Sequence, residues 1–133
     1  MNRKIVFIIT LFILIGCSTN SQLEGTWRYI ESRFITIKSR DGVLLETHKG
    51  VVTYPVSQQR TVTFNANGTC SGLYDGSWLL VENSIKIKDG ENATSKMYTI
   101  KYLSDTKLIL ESSSTLTEDS LLYNTVTTQY FEH

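Results

Sequence analysis

Apolar and polar residues alternate along most of the chain, in the pattern of strands that have one buried face. Val62 and Phe64 alternate with threonine, and Ile85 and Ile87 alternate with lysine. Such a two-residue period is typical of antiparallel strands with one face on the core and one in water. No apolar stripe at the roughly 3.6-residue spacing of a helix stands out after residue 22. The pattern therefore predicts an almost wholly β domain.

Glycine, proline and polar clusters divide this pattern into eight to ten short strands. Arg40-Asp41-Gly42 is expected to be a hairpin turn. Gly50 is expected to separate the second strand from the third, and Ser112–Ser120 is expected to be a polar loop. The first, second, third and last strands are expected over about Gly25–Lys38, Val43–His48, Val51–Val56 and Leu121–Phe131.

In the first strand, the two-residue alternation places charged residues on the same face as the apolar ones. Trp27 and Tyr29 share one face by their two-residue spacing, but Glu31 and Arg33 fall on that face as well. Either a β-bulge shifts the phase after Tyr29, or the two charged side chains point into a polar interior. The sequence leaves both alternatives open.

Short strands joined in order by tight turns favour an antiparallel up-and-down β-barrel of about eight strands, because closure removes the exposed edges of a sheet. A β-sandwich is the alternative. A small barrel is filled by its own side chains or holds one small ligand. The aromatic side chains that we expect in the interior, as candidate ligand contacts, are Trp27, Tyr29, Phe64, Trp78, Tyr98 and Tyr102.

The first residues have the composition of an export signal. Arg3 and Lys4 precede an apolar run from Ile5 to Ile15, which is shorter than the roughly 20 residues that a spanning helix needs. The run ends in Leu14-Ile15-Gly16-Cys17, which resembles the lipobox of bacterial lipoproteins, where cleavage before the cysteine leaves a lipidated first residue. The resemblance implies a signal peptide over 1–16, a lipidated Cys17 with a short tether over 17–22, and a folded domain over 23–133.

This resemblance also implies a location. A lipidated Cys17 would hold the domain on a membrane, because two or more acyl chains give stable anchoring. Ser18, which is not acidic, follows the cysteine. By resemblance to proteobacterial sorting, this favours the outer membrane of a Gram-negative cell envelope, with the membrane as a partner through the N-terminal lipid.

Charge and cysteine content bear on the possible partners of the protein and on the role of Cys70. The chain carries 13 basic and 13 acidic side chains, and the loss of Arg3 and Lys4 with the signal would leave a slight acidic excess. This balance argues against nucleic acid as a partner. With Cys17 lipidated, Cys70 has no partner within the chain, and we expect it to be a small buried hydrophobic residue.

The sequence lacks the residue groupings of catalysis. His48 and His133 stand apart from other metal-binding residues, which argues against a zinc site. No nucleophile elbow or phosphate-binding loop occurs. We therefore expect a protein that is not an enzyme and that has no metal and no cofactor.

Several segments together resemble the lipocalin-like domains of lipoproteins from Bacteroidota. The matching segments are Leu23-Glu24-Gly25-Thr26-Trp27, the run from Thr63 to Thr69, Gly76-Ser77-Trp78, and the run from Tyr98 to Leu110. The resemblance implies that residues 23–133 form a lipocalin-like barrel with a cavity. In lipocalins a basic side chain of the last strand packs over the first tryptophan, and the last strand here has none. Trp27 is therefore expected to be a core plug, with any stacking partner coming from elsewhere.

Two functions follow from these expectations. The first is the binding of a small apolar or amphipathic ligand inside the barrel, in the cell envelope. The second is that of an envelope adaptor or inhibitor that binds a protein partner through the barrel loops, without a ligand. The second function is motivated by the anchor and by the absence of Lys and Arg after Lys107.

Overall fold

The computed structural model describes residues 22–133, which form a single antiparallel sheet of nine strands. A 3₁₀ turn, Val56–Gln58, follows the second strand. The expectation of an almost wholly β domain is confirmed for these residues. The strands are β1 Gly25–Arg40, β2 Val43–Thr53, β3 Arg60–Phe64, β4 Thr69–Gly72, β5 Gly76–Val81, β6 Ser84–Asp89, β7 Lys96–Leu103, β8 Lys107–Glu118 and β9 Leu121–Glu132.

The sheet closes on itself through β1. This strand pairs with β3 near its beginning and with β9 along most of its length, so β1 and β3 to β9 form a closed up-and-down barrel of eight strands. β2 is an additional strand that pairs with the second half of β1. The predicted antiparallel up-and-down barrel is confirmed, and the sandwich alternative is wrong.

Three strands of the barrel, β1, β8 and β9, continue beyond it, and β2 joins them. β1 pairs with β2 from Glu31 to Arg40, β9 runs beside this part of β1, and the second half of β8, Ser112–Glu118, pairs with β9 alone among the described residues. These segments form a four-stranded sheet in the order β2–β1–β9–β8, which we call the extension. The extension rises from one end of the barrel, the mouth, and the opposite end, where β1 begins, is the closed end.

A β-bulge resolves the conflict of phase in β1. The pairing of β1 with β9 shifts between Tyr29 and Glu31, which leaves Ile30 without a direct partner. Trp27 and Tyr29 therefore point into the barrel, whereas Arg33 lies outside, where its Nε donates to Glu31 Oε2 at 2.7 Å and its guanidinium lies 4.8 Å from the Tyr130 ring centroid. Of the two alternatives, the bulge is correct.

The expected break at Gly50 is wrong, because β2 runs without interruption from Val43 to Thr53. Gly50 is paired with Phe34 of β1, whose ring occupies the space where a side chain at position 50 would lie. The glycine therefore accommodates a neighbouring ring and does not end the strand.

The expected loop at Ser112–Ser120 is also wrong. β8 continues to Glu118, and each of its residues from Lys107 on is paired with β9. Only Asp119 and Ser120 turn the chain, with φ of 49° and 65°, as in a two-residue type I′ hairpin. The hairpin predicted at Arg40–Gly42 is confirmed, with φ of 51° at Asp41 and 77° at Gly42.

Candidate functional site

The closed end of the barrel is plugged by Trp27. The side chain of Trp27 is fully buried, and its Nε1 donates to the carbonyl oxygen of Leu23 at 2.9 Å. The His133 ring lies 4.8 Å from the Trp27 ring, edge-on at 87°. Trp27 is thus the expected core plug, and its ring partner is the histidine that follows β9. Sequence reasoning treated His133 as isolated and missed this role.

Tightly packed side chains fill the middle of the barrel. Phe64 is 1% exposed and lies edge-on to Trp78 at 5.5 Å between centroids. The indole of Trp78 donates to the carbonyl oxygen of Asn65 at 3.0 Å. The other members of this layer, each 2% exposed or less, are Val62, Ile85, Ile87, Leu108, Leu110 and Phe131. Trp27, Phe64 and Trp78 therefore lie inside as expected, and they act as core residues.

Tyr102 does not belong to the interior, so that part of the prediction is wrong. The pairing of β7 with β8 shifts between Ile100 and Tyr102, which reverses the phase of the strand. Tyr102 is 51% exposed, whereas Tyr98, on the other side of the bulge, is 7% exposed. Simple alternation placed both rings on one face, and a bulge near Lys101 separates them.

Four tyrosines lie together at the mouth, above the packed layer. Tyr29 stacks on Phe131 at 5.1 Å and lies 4.9 Å from Tyr54, and Tyr74 lies 5.6 Å from Tyr98. We call Tyr29, Tyr54, Tyr74 and Tyr98 the tyrosine layer. Sequence reasoning predicted Tyr29 and Tyr98 as interior residues, and the structure places them here. Tyr54 and Tyr74 were missed, because both lie just beyond the ends of the observed strands β2 and β4, where a two-residue period does not fix the direction of a side chain.

Burial favours the neutral form of three hydroxyl groups in the tyrosine layer, those of Tyr54, Tyr74 and Tyr98. Burial raises the pKa of Tyr74 well above its ordinary value, and the nearby Tyr98 phenol raises it further. Burial is also the largest cause of the raised pKa values of Tyr98 and Tyr54. The Tyr74 hydroxyl donates to Gln129 Oε1 at 2.9 Å. The mouth therefore presents uncharged donors and acceptors beside aromatic rings.

The inner face of the extension continues the mouth. Residues that lie opposite one another in an antiparallel pair share a face, so the partners of Gln129 and Thr125 across β1 and β8 lie on this inner face. Thr36 and Thr125 are hydrogen bonded through their hydroxyls at 2.9 Å, and Lys38 Nζ lies 5.8 Å from the Tyr123 ring centroid. Other inner-face residues from β8 and β9 are Ser112, Ser114 and Thr127. This face is rich in hydroxyl groups.

The outer face of the extension is more apolar. Ile35 and Val126 are directly paired and are 42% and 37% exposed. Ile37 and Val51 lie on the same face and are 41% and 60% exposed. We call these four residues the outer patch. The patch is bordered by the paired Arg33 and Glu31.

Surface depressions are found away from the tyrosine layer. The largest of three has a volume of about 580 Å³ and is lined by Asp75, Gly76, Ser77, Lys88, Gly90 and Glu91. A second, of about 350 Å³, lies beside the exposed Tyr102, and a third, of about 250 Å³, lies beside the Asn67–Gly68 turn. The first depression is lined by polar and charged residues and glycines, whereas the lining of the third includes Trp78, Leu79 and Leu80.

Three other features bear on the chemistry of the described residues. Cys70 is 3% exposed, as predicted, and burial raises the pKa of its thiol. Within residues 22–133, no three histidine, cysteine or acidic side chains cluster as a metal site would require. The same residues include no helix with the length and apolarity to cross a membrane. The predictions for Cys17, for the signal peptide over 1–16 and for most of the tether concern residues outside those described.

Comparison of the chain with protein-family models, with curated proteins and with solved structures gave no match. The lipocalin-like resemblance therefore remains a prediction beyond the barrel fold itself. The function has to be argued from the geometry of the barrel and its extension.

Proposed function

We propose that this protein is a lipid-anchored binding module of a bacterial cell envelope, and that it binds a small amphipathic ligand at the barrel mouth. The observation that carries the ligand site is the tyrosine layer. It places four aromatic rings and their hydroxyls above a filled core, with the Tyr74 hydroxyl donating to Gln129 Oε1. Aromatic rings with a polar tip suit a ligand that has one apolar and one polar part.

The filled core determines where the ligand binds. Trp27 and Phe64 are 0% and 1% exposed and are surrounded by aliphatic side chains, so a ligand has no room beside them without repacking the barrel. The interior site expected from the sequence therefore moves toward the mouth. Of the predicted contacts, Tyr29 and Tyr98 remain, and Tyr54, Tyr74 and Gln129 join them.

The polar part of the ligand would meet uncharged partners. The Tyr74 hydroxyl and the Gln129 amide are already positioned by their mutual hydrogen bond at 2.9 Å. Half-buried Tyr54 and Thr127 stand at the border of the layer. The ligand class that fits is a small molecule with hydroxyl or carbonyl groups on an apolar body. Binding is favoured over catalysis, because buried phenols held in the neutral form are poor general bases near neutral pH.

The anchor part of the proposal rests on the lipobox resemblance. Cleavage before Cys17 would leave six residues from the lipidated cysteine to Gln22. Such a segment spans at most about 20 Å. The closed end of the barrel, where Leu23 packs on Trp27, would therefore stay close to the membrane surface, in the Gram-negative case the outer membrane.

The ligand site is tested with retinol, a fluorescent molecule that has one hydroxyl on an apolar body. The full-length protein should bind this probe, and Tyr74→Phe should weaken binding about fivefold, because one hydrogen-bonding hydroxyl is lost. Tyr102→Phe removes an exposed hydroxyl outside the barrel and is the matched control. Equal affinity of the two variants, or no saturable binding, would exclude the tyrosine layer as the site. Native mass spectrometry after extraction from membranes would identify the natural ligand.

The anchor is tested separately. Cys17→Ser should abolish incorporation of labelled palmitate and release the protein from the membrane fraction. The same label on Cys70→Ser should be unchanged, because Cys70 is buried inside the barrel. Membrane retention and labelling of Cys17→Ser would disprove lipidation at Cys17 and would leave the ligand site untouched.

A second candidate function is the binding of an envelope protein. The outer patch favours it, because Ile35, Ile37, Val51 and Val126 present apolar area on one face of the extension. In this alternative the protein is an adaptor or inhibitor and needs no ligand. Crosslinking from native membranes should recover a stoichiometric partner, and Ile35→Lys should release it. If the partner still crosslinks to the Ile35→Lys variant, the interface lies on the barrel loops, as expected from the sequence.

A further inference from the structure

β2 leaves one long edge of the sheet open. Among residues 22–133, β2 pairs with β1 only, and its 11 residues include no proline. The strand is exposed over most of its length, with 62% exposure at Val43, 61% at Leu44 and 60% at Val51. Long apolar edges are templates for pairing with another strand, and native proteins usually blunt them.

The hydrogen-bond pattern shows which groups face the open edge. The Tyr54 amide donates to the Ile30 carbonyl oxygen at 2.9 Å, so residues 30 and 54 form a hydrogen-bonded pair. Hydrogen-bonded and non-hydrogen-bonded pairs alternate along an antiparallel ladder, and the register is regular from Thr53 to Glu46. Thr47, Lys49 and Val51 therefore direct their backbone N–H and C=O groups away from β1, toward the open edge.

The side chains around Thr47 are complementary to those of a second copy of β2 that is related to the first by a two-fold rotation about Thr47. Glu46 and His48 lie on one face of β2, and within one chain their side chains are 2.8 Å apart. In an antiparallel pair centred on Thr47, Glu46 faces His48 of the second copy, and the reverse pair forms by symmetry. A pair centred on His48 would instead place the two imidazoles opposite each other. Thr47 is therefore the favoured centre.

We propose that two copies of this protein associate through β2, with a two-fold axis at Thr47. The two extensions then form one continuous sheet of eight strands, and the outward N–H and C=O groups of Thr47 pair with those of Thr47 in the second copy. The self-complementary pattern around Thr47 favours a second copy over an unrelated peptide, because only a second copy supplies both members of each Glu46–His48 pair.

This association sets the orientation of the proposed anchors. A two-fold axis perpendicular to the sheet reverses the strand direction of the second copy, so the closed ends of the two barrels lie at opposite ends of the joined sheet. Short tethers at both ends reach one membrane when the joined sheet lies along its surface. The inference about β2 itself does not depend on the lipid.

Crosslinking in membranes tests the register. In the full-length protein, Thr47→Cys should crosslink to its copy with a short bis-maleimide, because residues of a hydrogen-bonded pair are about 5.5 Å apart between Cα atoms. Thr53→Cys is the matched control on the same strand, where the two copies are about 40 Å apart. The unsubstituted chain controls for Cys17 and Cys70. Absence of a Thr47→Cys dimer, or equal dimer from Thr53→Cys, would overturn the proposal.

Substitutions at the edge test the contact itself. Thr47→Pro removes an N–H that faces the open edge and leaves the bonds to β1 in place, as edge strands tolerate. In sedimentation of the detergent-solubilised full-length protein, it should weaken the dimer at least tenfold. A monomeric wild-type protein, or an unchanged dimer of Thr47→Pro, would contradict the inference.

Exchange of Glu46 and His48 gives a second, independent check. Glu46→Lys should weaken the dimer at least tenfold, because a lysine would face the histidine of the second copy. The double variant Glu46→His with His48→Glu restores each pair in exchanged positions and should dimerise as the wild type does. Failure of the exchange to restore the dimer would place its centre away from Thr47.

Discussion

The ring of Phe34 covers Gly50 on the adjacent strand, at the place where β2 lies beside β1. The two residues are directly paired, and the ring fills the position that a side chain at residue 50 would take. Covering a strand glycine with an aromatic ring offsets the missing side chain of the glycine. The pair explains how an 11-residue strand can pass through a glycine that looks like a break in the sequence.

We expect Gly50→Val to destabilise the fold by about 2 kcal/mol, in spite of the good strand propensity of valine. The added side chain would collide with the Phe34 ring, and overpacking of this kind costs about 1–3 kcal/mol. The measurement is the free energy of unfolding from urea titration. In a Phe34→Ala background the same substitution should be neutral or stabilising, because the ring is gone. Additive effects of the two substitutions would show that the ring does not restrict position 50.

The barrel was predictable because alternation is a property of each strand alone, whereas the bulges depend on pairing between strands. The bulge at Ile30 falls where β1 changes partner from β3 to β2, and the bulge near Lys101 shifts the pairing of β7 with β8. In β1 the charged Glu31 and Arg33 signal the shift, whereas no residue of β7 marks its bulge. For this reason the sequence predicted correctly that Trp27 and Tyr98 point into the barrel and wrongly that Tyr102 does.

The tyrosine layer was only half predictable for a similar reason. Tyr54 precedes a proline, and Tyr74 lies in the turn between β4 and β5, so neither belongs to an alternating run. Closure of the barrel brings them beside Tyr29 and Tyr98. The one available signal was the high tyrosine count, 7 in the chain, which is more than the strands place in the core.

Removal of the His133 ring should weaken the closed end. We expect His133→Ala to lower the free energy of unfolding by about 1 kcal/mol, because an edge-to-face aromatic pair contributes about 0.5–1.5 kcal/mol, and this ring lies 4.8 Å from Trp27. His133→Phe should retain most of this stability. Tyr102→Ala, which removes a 51% exposed ring outside the barrel, is the control and should change stability little. Equal losses for the two variants would show that the contact of His133 with Trp27 contributes nothing.

The turns of the β1–β2 and β8–β9 hairpins predict two substitutions with opposite effects on stability. Ser120 has φ of 65°, a conformation that disfavours an ordinary side chain, and Gly42 has φ of 77° at the matching position of the other hairpin. Ser120→Gly should therefore raise the free energy of unfolding by about 1 kcal/mol, and Gly42→Ser should lower it by a similar amount. No atom lies within 4 Å of the Gly42 side-chain position, so the effect comes from the backbone alone. Thermal and urea unfolding of the two variants check both signs.

The tyrosine layer should make the fold sensitive to alkaline pH. Burial raises the pKa values of Tyr74 and Tyr98 in the folded state, whereas in the unfolded chain a tyrosine ionises near pH 10. Their stabilisation is therefore complete below about pH 10 and is lost as the pH rises toward the folded-state pKa values. The slope for each group approaches about 1.4 kcal/mol per pH unit, because unfolding releases one proton per phenol.

Tyr74→Phe isolates this contribution. At pH 8 the variant should lose about 1 kcal/mol, through the missing hydrogen bond to Gln129. Above pH 10 its stability should fall less steeply than that of the wild type, so the two curves of unfolding free energy against pH converge and then cross. Tyr102→Phe, with a 51% exposed ring, should follow the wild-type curve throughout. Parallel curves for Tyr74→Phe and wild type would mean that the Tyr74 phenol ionises in the folded protein as readily as in the unfolded chain.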